Sequence, residues 1–307
     1  MKAGTSAMVV LSLLAACSGG DTPPPPAAGT APAAAPRVVE LTATEYAFDA
    51  PDTIPAGWTT LRLANRGGEI HYGHIVRLDS GRTVEELVDA YAEAIRTSGP
   101  RPKWVTRFGG PGGVAPGGTS VVTQRLEPGE YVWICPIEDE SGAPHFGKGE
   151  VKRFVVADGA DEADEADEAE APRADVVVRL MDFDFALDSA PAAGKHTIQV
   201  ENAGVEPHDL VLFKLAPGAT LEQLRTWLNP EKARRDVPAG EPEPSFESLV
   251  SVGGGVAAMA PGMQAFFEMD LTPGDYVLAC MATAPDGRSH IEHGMIRQVT
   301  IREPGSR

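Results

Sequence analysis

Hydrophobic and polar positions alternate along much of this chain. Thr59-Thr60-Leu61-Arg62-Leu63 and Thr197-Ile198-Gln199-Val200 set apolar side chains at every second position, the period of a strand with one buried face. Ile75-Val76 and Val211-Leu212-Phe213 extend the pattern, and segments 119–126, 131–135 and 151–156 read as further strands. One stretch departs from it. Val84, Leu87, Val88, Tyr91 and Ile95 recur at spacings of three, one, three and four, which gathers them on one face of a helix, with Thr83 as its N-cap. Pro128-Gly129 and Pro273-Gly274 fit tight turns between strands. Many short strands joined by Gly/Pro turns predict two-sheet sandwiches.

The pattern occurs twice. Glu45-Tyr46-Ala47-Phe48 matches Asp182-Phe183-Asp184-Phe185, Asn65 matches Asn202, Gly67 matches Gly204, and His71 matches His208, each at an offset of 137 positions. Beyond the helical segment the offset becomes 145: Leu126-x-Pro128-Gly129-x-Tyr131 matches Leu271-x-Pro273-Gly274-x-Tyr276, Cys135 matches Cys280, and His145 matches His290. The eight extra residues (145 − 137) fall in a Pro- and charge-rich stretch of the second copy, near 229–246. Constant offsets broken by one insertion are the mark of a duplication. The copies are expected over 37–157 and 174–303. Between them 158–173 carries the run Asp161-Glu162-Ala163-Asp164-Glu165-Ala166-Asp167-Glu168, whose self-repulsion on small residues reads as a solvated acidic linker.

Composition narrows the function. Across 307 residues there are 33 Gly and 27 Pro, and the net charge is −18, a field that repels phosphate backbones and argues against nucleic acid as a partner. Residues 1–17 read as an export signal: Lys2, then an apolar run from Ala7 to Ala16 that is too short to span a bilayer. The run ends in Leu14-Ala15-Ala16-Cys17, which resembles a bacterial lipobox and implies lipidation of Cys17. Residues 18–36, rich in Pro, Ala and Gly, follow as a tether without core-forming side chains. The expected location is the cell envelope, facing the periplasm, with the outer membrane implied for a Gram-negative source because Ser18 follows the cysteine. The remaining cysteines, Cys135 and Cys280, sit one per copy and are expected to be unpaired.

The order of these parts resembles the cupredoxin superfamily: an Asn-x-Gly stretch leading to a His, a Leu-x-Pro-Gly-x-Tyr turn, a Cys at the end of the next strand, then a loop to a second His and to Gly294-Met295. The resemblance implies an all-β fold of two tandem cupredoxin-like Greek-key β-sandwiches, each with a helical insertion. It also implies a copper cofactor held by two imidazoles and a thiolate, with a weak axial thioether. In the second copy that set is His208, Cys280, His290 and Met295, with His293 a spare imidazole. Nine residues separate Cys280 from His290, a longer loop than the superfamily uses. It either doubles back through Pro285-Asp286-Gly287 or carries His290 away. In the first copy His71, Cys135 and His145 match, but Glu150 replaces Met295 and Lys148 replaces His293. A cation beside a metal and a harder axial donor make it the weaker candidate, and His74 is expected to face away from it. His196, Met259, Met263 and Met269 read as strand or core residues. The glycines of 109–118 and 253–255 read as loop glycines, outside the strand-to-helix context of a phosphate loop.

The function expected is a non-enzymatic exported copper lipoprotein for electron transfer or copper handling. Its second domain is the better site, and its partners are the membrane, through the anchor, and a redox or copper-donor protein. A metal-free interaction or scaffold module is the alternative. A copper oxidase or nitrite reductase would need His-x-His pairs or a His-Cys-His triplet, and neither occurs; Gly-x-Ser-x-Gly and His-Glu-x-x-His are also missing. Replacing Cys17→Ala is expected to abolish acylation and membrane partitioning, read by intact mass and by phase separation in detergent. Unchanged mass and partitioning would refute the anchor.

Overall fold

The structure is a computed structural model, and it describes residue 1 and residues 34–97, 99–158, 169–229 and 244–305. The export segment with Cys17, nearly all of the tether, most of the acidic linker and most of the second copy's insertion lie outside the described residues. Among the described residues, no helix is long and apolar enough to cross a membrane.

The first copy contributes β1 (Arg37–Thr44), β2 (Ala47–Asp49), β3 (Thr53–Pro55), β4 (Gly57–Asn65), β5 (His74–Leu78), β6 (Val105–Arg107), β7 (Thr119–Leu126), β8 (Gly129–Ile134) and β9 (Val151–Ala157). The second contributes β10 (Val176–Met181), β11 (Asp184–Leu187), β12 (Gly194–Asn202), β13 (His208–Leu215), β14 (Val250–Met259), β15 (Gln264–Leu271), β16 (Gly274–Ala279) and β17 (Ile296–Ile301). Each copy is a two-sheet β-sandwich with a helix inserted after β5 or β13.

Local sequence explains these elements. Along β4, Thr59, Leu61, Leu63 and Asn65 point inward while Arg62 stays in solvent. Strand β13 is buried on both faces, so it reads as a continuous apolar run rather than an alternation. Leu210, Leu212 and Cys280 face the inner core, while Val211, Phe213 and Ala279 face a cluster on the other side that receives the inserted helix. Helix α1 (Val84–Arg96) opens with a capping box between Thr83 and Glu86 and buries Leu87, Tyr91 and Ala94. Its counterpart α2 (Leu221–Trp227) repeats the box with Thr220 and Gln223 but runs only seven residues. The turn motif is held by its tyrosine: the Tyr131 hydroxyl donates to Glu127 O at 2.9 Å, and the Tyr276 hydroxyl accepts from Thr272 N at 3.2 Å.

The copies are not two beads on a linker. Strand β15 pairs antiparallel with β7, Ala265 opposite Gln124 and Phe267 opposite Val122. That pairing fuses one sheet of each sandwich into a single eight-stranded sheet, β11-β10-β12-β15-β7-β4-β1-β2. The other faces are separate: β3-β9-β8-β5-β6 in the first copy, β14-β13-β16-β17 in the second. Trp58 packs edge-on against Phe266, ring centroids 5.6 Å apart, across the seam. Direct docking, rather than an acidic spacer, therefore sets the separation of the two halves.

A second correction concerns the glycines. Gly253, Gly254 and Gly255 lie inside β14, not in a loop, where the pairing with β13 is irregular. They let the 108–114 segment of the first copy come in close. Gly112 N donates to Gly255 O at 3.2 Å, and a Cβ on Gly112 would stand 2.8 Å from the Gly255 carbonyl carbon. A Cβ on Gly255 would run into Leu210 O, at a positive φ that side chains avoid. Phe108 and Pro111 make bridges to Met259 and Val256 beside it.

His74 is buried at this junction and donates from Nε2 to Ala258 O at 3.2 Å. Burial, and then the charge of Arg107, hold its pKa down to about 3. From its ordinary value near 6.5 down to about 3, the unfolded chain takes up a proton that the native state refuses, so stability falls as pH falls through that window. The thermal midpoint is expected to drop on acidification from about pH 7 to about pH 4, and His74→Gln, which keeps a donor for Ala258, should flatten that dependence. Equal slopes in calorimetry of the two proteins would refute the assignment.

Candidate metal centres

The early histidine of each copy is aimed by an asparagine. In the second copy Asn202, at the end of β12, donates to Glu206 O and Met259 O, both at 2.8 Å, and accepts from Gly204 N at 3.0 Å. Asn65 does the same with Glu69 O (2.7 Å), Val114 O (2.9 Å) and Gly67 N (2.8 Å). Both asparagines are buried, so their polar atoms must be paired inside the protein. The pairing folds the loop into a shape that turns His71 and His208 inward. This is what the Asn-x-Gly signature does.

The late histidine arrives on a loop that doubles back. Thr283 bridges to Ser289, Ala284 N donates to Arg288 O, and His290 N donates to Ala282 O at 2.9 Å. The first copy repeats this with a bridge from Glu138 to Pro144 and a bond from His145 N to Ile137 O at 2.8 Å. The nine-residue span is thus a small hairpin, and it returns the imidazole to the thiol.

The ligand atoms converge. In the second copy His208 Nδ1 lies 3.0 Å from His290 Nδ1, and Cys280 Sγ lies 3.8 Å and 3.3 Å from those two nitrogens. All three side chains are fully buried. Met295, also fully buried, packs in the same core cluster as Cys280. In the first copy His71, Cys135, His145 and Glu150 gather in the same way, with no atom of the set more than 4.8 Å from another. Both His71 Nδ1 and His145 Nδ1 reach the Glu150 carboxylate, at 2.8 Å and 2.9 Å, and Cys135 Sγ stands 3.6 Å from His145 Nδ1. Glu150 and Met295 occupy one backbone position. Cys135 N donates to Glu150 O and Cys280 N to Met295 O, both at 3.2 Å, while Glu150 N and Met295 N return to His145 O and His290 O.

Sequence reasoning missed four carboxylates. The far nitrogens of the four imidazoles in these sets face carboxylates: His208 Nε2 bonds Asp182 at 3.0 Å, His290 Nε2 bonds Glu206 at 3.1 Å, His71 Nε2 bonds Glu45 at 3.3 Å, and His145 Nε2 lies 2.6 Å from Glu69 without hydrogen-bond geometry. Asp182 matches Glu45 and Glu206 matches Glu69 at the offset of 137, which is the signal that could have revealed them. An outward Nε2–H given to a carboxylate leaves Nδ1 as a lone pair pointing inward.

That arrangement tests the fit of a metal. In the second copy two Nδ1 lone pairs and a sulfur face one point, and the thiol proton can satisfy only one of the nitrogens. In the first copy a carboxylate joins them, so acceptors outnumber donors further. Buried acceptors that face one another are costly unless a cation lies among them. Burial and the His208 charge hold His290 down to about 4, so a proton is poorly suited to that role. His71 moves the other way: burial lowers it, but Glu150 and Glu45 together outweigh that and raise it. Burial, then Glu150 or Asp209, pushes both thiols well up, so thiolate formation there calls for a metal. Imidazole, thiolate and thioether suit copper, and the carboxylate makes the first set harder.

Three expected bystanders are accounted for. The Lys148 ammonium pairs with Asp139 and lies 4.5 Å from the Tyr46 ring centroid, so it is neutralised rather than left beside the ligands. His293 bonds Asp286 at 3.0 Å and stacks on Phe183, which makes it a wall of the second centre rather than a spare ligand. Phe183 and its counterpart Tyr46 each meet the late imidazole edge-on, at 5.2 Å and 4.8 Å. His74 serves the seam between the copies. Cys135 and Cys280 are free and buried, as expected. Beyond the ligand sets, His196 pairs with Asp175 in a half-buried strand position, and Met259 is core.

No family model matches the sequence, and no curated relative does either. Among solved structures the chain is similar to dithionite-reduced auracyanin from Roseiflexus castenholzii, at 23% identity and a TM-score of 0.28, over 40% of this chain and 98% of that one. It is similar to auracyanin A, a blue copper protein from Chloroflexus aurantiacus, at 21% identity and a TM-score of 0.30, over 40% and 99%. It is also similar to a copper-containing nitrite reductase from Thermus scotoductus, at 12% identity and a TM-score of 0.24, over 89% of this chain and 63% of that one. At these scores the likenesses add nothing to the reading of the centres, which rests on their own geometry.

Removing the outer carboxylates of the second centre, with Asp182→Asn or Glu206→Gln, is expected to weaken metal binding there by about 10- to 100-fold while leaving the fold intact. Competition titration with a chelator checks this; affinity equal to the parent's would show the pairs to be incidental.

Proposed function

We propose that this chain is an exported, lipid-anchored copper protein that carries electrons or handles copper without catalysing a reaction of its own. The observation that carries the reading is the meeting of His208 Nδ1, His290 Nδ1 and Cys280 Sγ at 3.0–3.8 Å, with both outer nitrogens already committed to carboxylates. His208, Cys280 and His290 would hold the ion in the second domain, with Met295 as the axial donor. His71, Cys135 and His145 would hold it in the first, with Glu150 in the axial place. Copper would supply a one-electron couple in each. The second domain is the better site for Cu(I), because a thioether suits a soft ion.

The non-enzymatic part of the proposal rests on ligand economy. All four imidazoles near the centres are used in the two thiolate sets, and His74, His196 and His293 are bonded elsewhere. A third, histidine-only copper centre has no ligands among the described residues. Export and anchoring rest on residues 1–36 of the sequence, and the membrane, together with a redox or copper-donor protein, are the partners that follow.

Titrating the full chain with Cu(II) is expected to produce an intense visible absorption from thiolate-to-copper charge transfer. Cys280→Ser should remove the second centre's part of it and Cys135→Ser the first's. A chain that stays colourless and binds no copper in equilibrium dialysis would instead favour a metal-free scaffold.

A further inference from the structure

Tyr72 and Asp209 are repeat counterparts, each following the early histidine. Each donates its backbone N–H to the thiol of its own centre, Tyr72 N to Cys135 Sγ at 3.3 Å and Asp209 N to Cys280 Sγ at 3.4 Å. Their side chains have diverged, and the divergence faces the seam between the copies. Tyr72 packs against the inner core of the first copy and also against the cluster on the outer face of β13 and β16 in the second. Its ring lies over Gly113, where a Cβ would stand 2.7 Å from a ring carbon. The phenol takes a hydrogen bond from the Gly113 backbone and lies within electrostatic reach of Asp209, Cys135 and Cys280. Tyr72, Asp209 and Met281 line one cavity between the copies. The buried Asp209 carboxylate accepts from Met281 N, next to the thiol, at 2.7 Å, and Arg107 of the first copy offsets its charge.

We propose that Tyr72 and Asp209 connect the two centres, so that the protein passes an electron internally from the first to the second. This rests on the copper reading above. The direction follows from charge. A divalent ion is neutralised in the first centre by the Cys135 thiolate and Glu150. In the second centre the Cys280 thiolate neutralises a monovalent ion. Buried net charge is unfavourable, so the first centre favours Cu(II), the second favours Cu(I), and the second has the higher potential. One electron would leave the ion held by His71, Cys135, His145 and Glu150 and arrive at the ion held by His208, Cys280 and His290, with no bond to a side chain broken and no proton moved. A one-electron donor refills the first centre and a one-electron acceptor empties the second.

The test is pulsed one-electron reduction of the copper-loaded full chain in detergent, followed by absorption. In the parent, reduction of the first centre should pass to the second in a phase whose rate does not change with protein concentration. Tyr72→Phe keeps the ring and the backbone N–H but loses the hydroxyl; Tyr72→Leu loses the ring. The internal phase is expected to slow in the first variant and slow further in the second, by more than the change in driving force given by the two measured potentials, while both absorption bands persist. A parent rate proportional to protein concentration would overturn the proposal, as would unchanged internal transfer in Tyr72→Leu with both bands intact. If neither Cys135→Ser nor Cys280→Ser removes a band, the copper reading itself has failed and this proposal fails with it. Bands that respond singly to those variants, without internal transfer, sink the connection alone.

Discussion

Four imidazoles held from outside by carboxylates are the constraint on which the rest of the structure depends. With Nε2 facing Asp182, Glu206, Glu45 or Glu69, each ring turns Nδ1 towards the buried thiol and, in the first copy, Glu150. A protein interior does not tolerate several acceptors around one point without a positive charge among them. The features that look ornamental in isolation serve that arrangement. Asn65 and Asn202 shape the loops before the early histidines, the return hairpins deliver the late ones, and Tyr46 and Phe183 pack edge-on against the late imidazoles.

Duplication then made two versions of one device. The backbone that presents Met295 to the second centre presents Glu150 to the first through the same bonds to the cysteine and the late histidine. A single side-chain difference changes both the hardness of the donor set and the charge of the ion it best neutralises. Glu150 is fully buried and touches both imidazoles of its centre, which makes a carboxylate without an ion there hard to account for on structural grounds alone. The two centres are therefore related but not redundant.

The seam gives that difference its setting. Strands β7 and β15 pair, and Gly112 meets Gly255 at backbone distance. Backbone packed against backbone leaves no room for side chains between the halves there. Tyr72 belongs to one copy by its backbone and to both by its packing.

Much of this was legible in the sequence. The alternation in β4 and β12, the capped helix, the turn motif and the constant offsets of 137 and 145 all follow from short-range periodicity, and periodicity survives without coordinates. The candidate ligand types and their order were legible for the same reason. The return of the nine-residue loop was not, because a hairpin closed by backbone bonds has no side-chain signature that separates it from an open one. The outer carboxylates were hidden as well: an acid in a turn, such as Asp182, looks like any solvated charge until the fold brings it to an imidazole 26 residues away. Fusion of the sandwiches through β7 and β15 was equally invisible, since an edge strand reads alike whether water or another strand pairs with it. The glycines of β14 read as loop for the converse reason, because what they accommodate is the other copy's backbone. The sequence by itself determined the strands, the repeat and the candidate ligand types, which are matters of local pattern. Which groups meet, and therefore whether a cation belongs among them, was decided only by contacts between residues far apart in the chain.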